Sequence, residues 1–342
     1  MRAGSTPDGK HLYPAMPYPS YAKMSGQDMH ALYDFFMKEV APVKQANKPA
    51  EITGWKAIRW PLAIWNLLFV DDDAYAARAG KDEAWNRGAY LVQGPGHCGA
   101  CHTPRGLFMQ EKSLAEGDAD FMAGAELDRW SARSLNGDPN SGLGRWSEQD
   151  VVDLLKTGRN AHGVASGTMV EVVNNSSQYM TDADLKAIAV YLKSLPAGQE
   201  KAAPAYSYSE ASAEQLRKLD FAKPGAATFK TYCSGCHTVD GKGYPPYQPP
   251  LAGNGSVLDP RSSSLVNLVL NGSQRIVTAG NPASYDMPFF RTLLSDQQIA
   301  DVVTFVRSSW GNSGSAVTPA EVTAIRTATD PLINDIIVLR MK

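Results

Sequence analysis

An all-α fold assembled from repeated copies of one small helical unit is what the sequence predicts, on three observations. Three segments share one helical pattern: SGQDMHALYDFFMKEV, TDADLKAIAVYLKSL and SDQQIADVVTFVRSS. A methionine precedes each of them, and the four cysteines fall into two pairs of identical spacing. Each shared segment opens on a hydroxyl residue (Ser25, Thr181, Ser295) with an acid or amide three places on (Asp28, Asp184, Gln298). That is the spacing of a capping box, in which the two side chains satisfy backbone N–H groups at the helix start; Asp is a weaker match than Glu or Gln. Apolar residues then recur at helical intervals: Leu32, Phe35 and Phe36; Ile188, Tyr191 and Leu192; Val302, Phe305 and Val306. An aromatic stands ten places after the cap in all three copies.

The cysteines give the unit its chemistry. Cys98 and Cys101, then Cys233 and Cys236, are each followed at once by a histidine, His102 and His237, in CGACH and CSGCH. Cysteines three apart on a helical turn share a face. Both thiols can then form thioethers to one porphyrin while the adjacent histidine reaches its iron, which is the haem c attachment pattern. A structural zinc site keeps its cysteine pairs within about 20 residues, whereas these pairs are 135 residues apart. A redox dithiol needs no histidine after it in both copies. Two haem c groups are therefore expected, with no cysteine left for a disulfide.

The sixth iron ligand is expected to be methionine, whose neutral, soft sulfur favours Fe(II) and raises the potential. Met287 serves the third copy and Met169 the second. Met180 competes with Met169 but lies directly against the helix cap, where the other copies place no ligand. His162, in NAHGVASG, is a bis-histidine alternative that reads more simply as a polar loop residue, and His97 reads as a hydrogen-bonding neighbour of the haem. The Pro249-Pro250-Leu251-Ala252-Gly253 loop is expected to supply the carbonyl that receives the Nδ1–H of His237, and Pro104 to do so for His102. With both axial positions filled, outer-sphere electron transfer is expected, and no catalytic residue.

The fold class expected is thus all-α, tandem class I cytochrome c domains, two complete and one an N-terminal remnant. Residues 1–48 form the remnant, with Met16 and a helix but no cysteine pair. Residues 49–80 are a tryptophan-rich connector. Residues 81–197 carry the haem at 98–102, residues 198–213 are a linker, residues 214–312 carry the haem at 233–237, and 313–342 are a tail. The net charge of −2 among 342 residues gives no basic footprint for nucleic acid. No stretch reaches the roughly 18 apolar residues of a membrane span. The short apolar stretches at Trp60–Val70 and Ile336–Leu339 suit a membrane interface or interdomain packing equally.

Specific stretches carry a family resemblance: HLYPAMPYPSY, IRWPLAIWNLLF, RGAYLVQGPGHCGACHTPRG, SQYMTDADLKAIAVYLKSLP, PPYQPPLAGN, DMPFF, LSDQQIADVVTFVRSSWGN and the terminal VLRMK. Across nearly its whole length the sequence resembles the triple-haem cytochrome c subunits of bacterial membrane-bound dehydrogenases for alcohols, gluconate, fructose, sorbitol and related polyols. The resemblance implies that Met16 corresponds to the axial ligand of the family's first haem. It also implies a periplasmic subunit on the outer face of the inner membrane, taking electrons from a flavin or PQQ catalytic subunit and passing them to ubiquinone. The family's first Cys-x-x-Cys-His and its export signal lie upstream of Met1, so either a truncated sequence, the favoured reading, or a genuine two-haem variant is expected, with Tyr33, Phe35 and Phe36 left uncovered. The rival functions are a soluble two-haem shuttle and a di-haem peroxidase; the latter needs a domain lacking a usable methionine.

Overall fold

The computed structural model describes residues 2–46, 48, 52, 54–71, 73–198, 204–279 and 286–330. The apolar run Ile336–Leu339 and the terminal VLRMK lie outside the described residues.

The N-terminal part contains α1 (Tyr18–Tyr21) and α2 (Gly26–Asp34), which runs into a π-helical turn over Phe35–Glu39. Ser25 caps α2 by accepting the Asp28 N–H at 3.0 Å, but the Asp28 carboxylate is taken by the Tyr90 hydroxyl, so the box is only half made. Tyr18 is fully buried; its hydroxyl donates to Asn66 at 2.7 Å and its ring meets Trp65 edge-on. Asn66 and Trp65 belong to α3 (Pro61–Phe69), whose first position holds a proline that costs no hydrogen bond there. Connector and N-terminal segment therefore fold against each other. Tyr33, Phe35 and Phe36 are exposed, as the sequence predicts.

The middle of the chain is built from α4 (Glu83–Gln93), α5 (Gly99–His102), the hairpin β1 (Ala125–Leu127)–β2 (Trp130–Ala132), α6 (Glu148–Thr157), the hairpin β3 (Arg159–Asn160)–β4 (Gly163–Val164), α7 (Met169–Asn175) and α8 (Asp182–Lys193). Its core is the crossing of α4 and α8, where Trp85, Ala89 and Val92 meet Ile188, Tyr191 and Leu192. Gly88 stands at the contact, where a Cβ would fall 2.0 Å from the Ala187 carbonyl oxygen, so only glycine lets the two backbones approach.

The C-terminal part repeats the device. It contains α9 (Ala211–Arg217), α10 (Ala226–Tyr232), α11 (Ser234–His237), α12 (Gly255–Leu258), α13 (Ser263–Asn271), α14 (Asp296–Arg307) and α15 (Pro319–Ala328). Phe229 of α10 packs on Phe305 of α14 and on Trp310, and Gly225 (φ +83°) comes so close to α14 that a Cβ would lie 2.2 Å from Asp301 O. Ser295 and Gln298 complete a full capping box on α14.

The fold is mostly helical, with two short antiparallel hairpins among the described residues. The first turns at Asp128-Arg129, both at positive φ (48° and 65°), as a two-residue turn matched to strand twist requires. The sequence carried no glycine to announce it. Within the expected tail, Val317, Val322 and Ile325 enter the same core as Phe305. Arg307, fully buried, ties that tail down by donating to Ser315 O at 2.8 Å and to Asp259 O at 2.9 Å.

Candidate functional site

Both Cys-x-x-Cys-His motifs adopt the same local geometry. Each follows the helix that forms the core crossing, after a short turn at residues 94–97 behind α4 and directly at the end of α10, and closes one helical turn. Cys101 N donates to Cys98 O at 3.2 Å and His102 N to the same oxygen at 3.0 Å. In the second motif Cys236 N and His237 N both donate to Cys233 O, at 3.2 and 2.9 Å. The i, i+3 relation sets the paired cysteines on one side of the turn. All four cysteines are free thiols. Burial pushes Cys98 and Cys233 up to about 12 and raises Cys101. Among the described residues no group of three or more His, Cys, Asp and Glu side chains is arranged to hold a metal ion.

Each histidine is oriented by a backbone carbonyl. His237 Nδ1 lies 3.1 Å from Pro249 O, the loop the sequence pointed to. His102 Nδ1 lies 2.7 Å from Arg133 O, not from Pro104. That is a correction with a plain cause: Pro104 O accepts the Lys112 N–H within its own loop, while the β1–β2 hairpin brings Arg133 under the imidazole. A carbonyl on Nδ1 fixes the proton there and leaves Nε2 with a free lone pair. Burial lowers His102 to about 4 and also lowers His237, keeping both rings neutral. Free thiols on one side of a turn and a neutral imidazole with Nε2 available are the donor set haem c requires, so the residues fit that group.

The methionines divide unevenly. Met287 packs against the core that also contains Cys233. Its backbone is pinned to the end of α13 on both sides, with Met287 N donating to Ser273 Oγ (2.8 Å) and Ser273 N to Met287 O (3.0 Å). Gly272 permits this approach, since its Cβ would meet Met287 O at 2.5 Å. Met169 starts α7 and packs in a small cluster with Ala165, Val170, Val173 and Ile276, whereas Met180 packs against the core that includes Cys98. Met16 is exposed. His162 is occupied elsewhere, stacked on Trp146 with Nε2 3.4 Å from Asp150. His97, at positive φ, meets Tyr21 edge-on, so it joins the N-terminal segment to the first motif.

The sequence reading missed three arginines, Arg133, Arg145 and Arg159, which run between the two motifs.

The fold and the paired motifs define a class, the haem-binding c-type cytochromes, and the protein-family model for Cytochrome c matches residues 222–310. Among curated proteins, a cytochrome c subunit of a quinone alcohol dehydrogenase from Gluconacetobacter polyoxogenes is 47% identical over 97% of this chain and 72% of its own length. The gluconate 2-dehydrogenase cytochrome c subunit of Pantoea cypripedii is 45% identical over 95% of this chain and 75% of its own. The fructose dehydrogenase cytochrome subunit of Gluconobacter japonicus is 36% identical over 95% and 69%. The chain belongs to this family of cytochrome c subunits of dehydrogenases, and it is an electron-transfer protein carrying haem c rather than a catalytic enzyme.

Proposed function

We propose that this chain is a relay of two haem c groups that takes electrons from the catalytic subunit of a flavin or PQQ dehydrogenase and delivers them to membrane ubiquinone on the periplasmic side of the inner membrane. The observation that carries the reading is the matched pair of histidines, each in a Cys-x-x-Cys-His turn with Nδ1 held by a backbone carbonyl. Haem c, when bound, supplies a reversible one-electron couple. Cys98 and Cys101 would hold the first group, Cys233 and Cys236 the second, and His102 and His237 would each offer a ligand to an iron. Met287 would be the second ligand of the haem at 233–237. Met169 would be that of the haem at 98–102, on the order of motif, methionine and helix that the two units share; Met180 is the competitor favoured by its contact with the core that includes Cys98. Met16 would pair with a further haem in the triple-haem pattern of the family. The tandem arrangement, units at 81–197 and 214–312, is supported by the glycine-dependent helix crossing found in both.

Membrane contact is proposed at one surface. Trp60 and Leu67 on or next to α3 are 68% and 83% exposed, and Leu107, 90% exposed, lies on the neighbouring loop. Trp65 Nε1 joins the two by donating to Phe108 O at 2.9 Å. An uncharged, apolar short helix with an adjoining apolar loop matches an interfacial anchor. Among the described residues no helix is long and apolar enough to cross a membrane.

The ligand assignment is tested by methionine-to-alanine variants of the matured protein. Met169→Ala and Met287→Ala should each remove one iron–thioether absorption signature and open one iron to carbon monoxide. Loss on Met180→Ala instead of Met169→Ala would reassign the first iron. Rapid carbon monoxide binding by the unsubstituted, reduced protein would favour the peroxidase alternative. Flotation with vesicles, reduced by Leu67→Asp, tests the membrane surface.

A further inference from the structure

Three arginines of the middle part reach one stretch of the C-terminal part, residues 246–255. Arg159 Nη1 donates to Tyr247 O at 2.9 Å and Pro246 O at 3.4 Å, and Arg145 Nη2 donates to Gly253 O. The Arg133 guanidinium lies on Gly255, where a Cβ would come within 2.2 Å of Nη2. Inside that stretch is Pro249, whose carbonyl accepts from His237. Arg133 itself supplies the carbonyl that accepts from His102. One seam of guanidinium groups thus borders the backbone behind both iron-facing histidines.

Further donors of Arg133 and Arg145 also go to backbone oxygens, whereas Arg159 Nε is buried without a hydrogen-bond partner. Arg133 binds Ser141 O at 3.2 Å and Gly142 O at 2.6 Å, and Arg145 binds Pro139 O at 2.6 Å. The Arg133 guanidinium further sits over Trp146, 4.6 Å from the ring centre. Facing acids are engaged: Asp259 forms an ion pair with Arg261 at 2.9 Å, and Asp138 accepts from the backbone N–H groups of Asn140 and Ser141. Asp286 is the carboxylate whose charge acts on Arg159. Burial lowers all three arginines, Arg133 to about 10, so their charge is held at a desolvation cost. A charge out of bulk water acts further and more strongly on its surroundings.

We propose that Arg133, Arg145 and Arg159 are tuning residues that raise the reduction potentials of the two haems, because fixed positive charge behind the histidines stabilises the added electron. The inference rests on the two-haem reading above.

The experiment uses the full, matured chain. Haem content of each protein is measured first, then each midpoint potential by spectroelectrochemical titration. Arg145→Gln and Arg159→Gln should lower the potential of the haem at 233–237, and Arg133→Gln that of the haem at 98–102. Each shift should reach roughly tenfold in the reduction equilibrium, which for a one-electron couple is about 59 mV. Arg→Lys at the same positions keeps the charge and should keep most of the potential. If Arg133→Gln fails to mature, the more exposed Arg145 carries the test. Two-haem Gln variants with unmoved potentials, or Lys and Gln variants that shift alike, would overturn the inference and leave the haem reading intact. Unsubstituted protein with fewer than two haems would overturn that reading instead.

Discussion

Replacing Gly88 by alanine should destabilise the protein even though alanine is the better helix former. In an exposed helix interior the exchange gains about 1 kcal/mol. Here the new Cβ would lie 2.0 Å from Ala187 O, 2.6 Å from Ala187 C and 2.7 Å from Tyr191 Cβ. Two of those three atoms are backbone of α8, which no rotamer change can move aside. Overpacking of this kind costs about 1–3 kcal/mol, occasionally more, and backbone collisions place it at the upper end. The net loss should be about 2 kcal/mol, or about 10 °C at roughly 4–8 °C per kcal/mol for a unit of this size. Thermal and denaturant unfolding of the matured protein measure it. Gly26→Ala is the internal control, because nothing lies within 4 Å of its Cβ position; it should be neutral or stabilising by up to about 1 kcal/mol. A Gly88→Ala protein as stable as the parent would refute the claim that the α4–α8 crossing is set by backbone contact.

Ser295→Ala removes half of a complete capping box on α14 and should cost about 1 kcal/mol in unfolding experiments. Asp184 binds Arg87 through both oxygens, at 2.7 and 3.0 Å, and that contact holds its carboxyl below the ordinary value of 3.8. A lowered folded-state value means that its stabilisation is complete above the ordinary carboxylate range and is lost as pH falls through it. Asp184→Asn should therefore flatten the acid side of the stability–pH curve while lowering stability at neutral pH. Tyr90→Phe removes the hydroxyl that binds Asp28 and accepts from Ser25 N, so protease cleavage within residues 1–48 should become faster, with the haem domains unchanged.

The site was legible where chemistry is local. A Cys-x-x-Cys-His turn needs only five consecutive residues, and the helix caps at Ser25, Thr181 and Ser295 need only four, so the sequence pattern displays them directly. The expectation for Met287 rested on the order of elements within one unit, and Met287 packs against the core that Cys233 also touches. What escaped the sequence depends on contacts between distant segments. Arg133 O displaces Pro104 as the partner of His102 because a hairpin without a glycine signal folds it there. The seam of Arg145 and Arg159 forms only when two units dock, and hydrogen bonds to backbone carbonyls leave no pattern in side-chain spacing. Met169 and Met180 remained rivals in the sequence for the same reason: the order of elements favours one, and core contact the other.

The number of haems and the residues that hold them decide whether this chain is a two-haem relay. A pyridine haemochrome assay on matured protein should give two equivalents per chain. The count should fall to one when Cys98 and Cys101 are both changed to alanine, and likewise to one for Cys233 and Cys236. A count of one or none in the unsubstituted protein, or a count that survives loss of either cysteine pair, would contradict it.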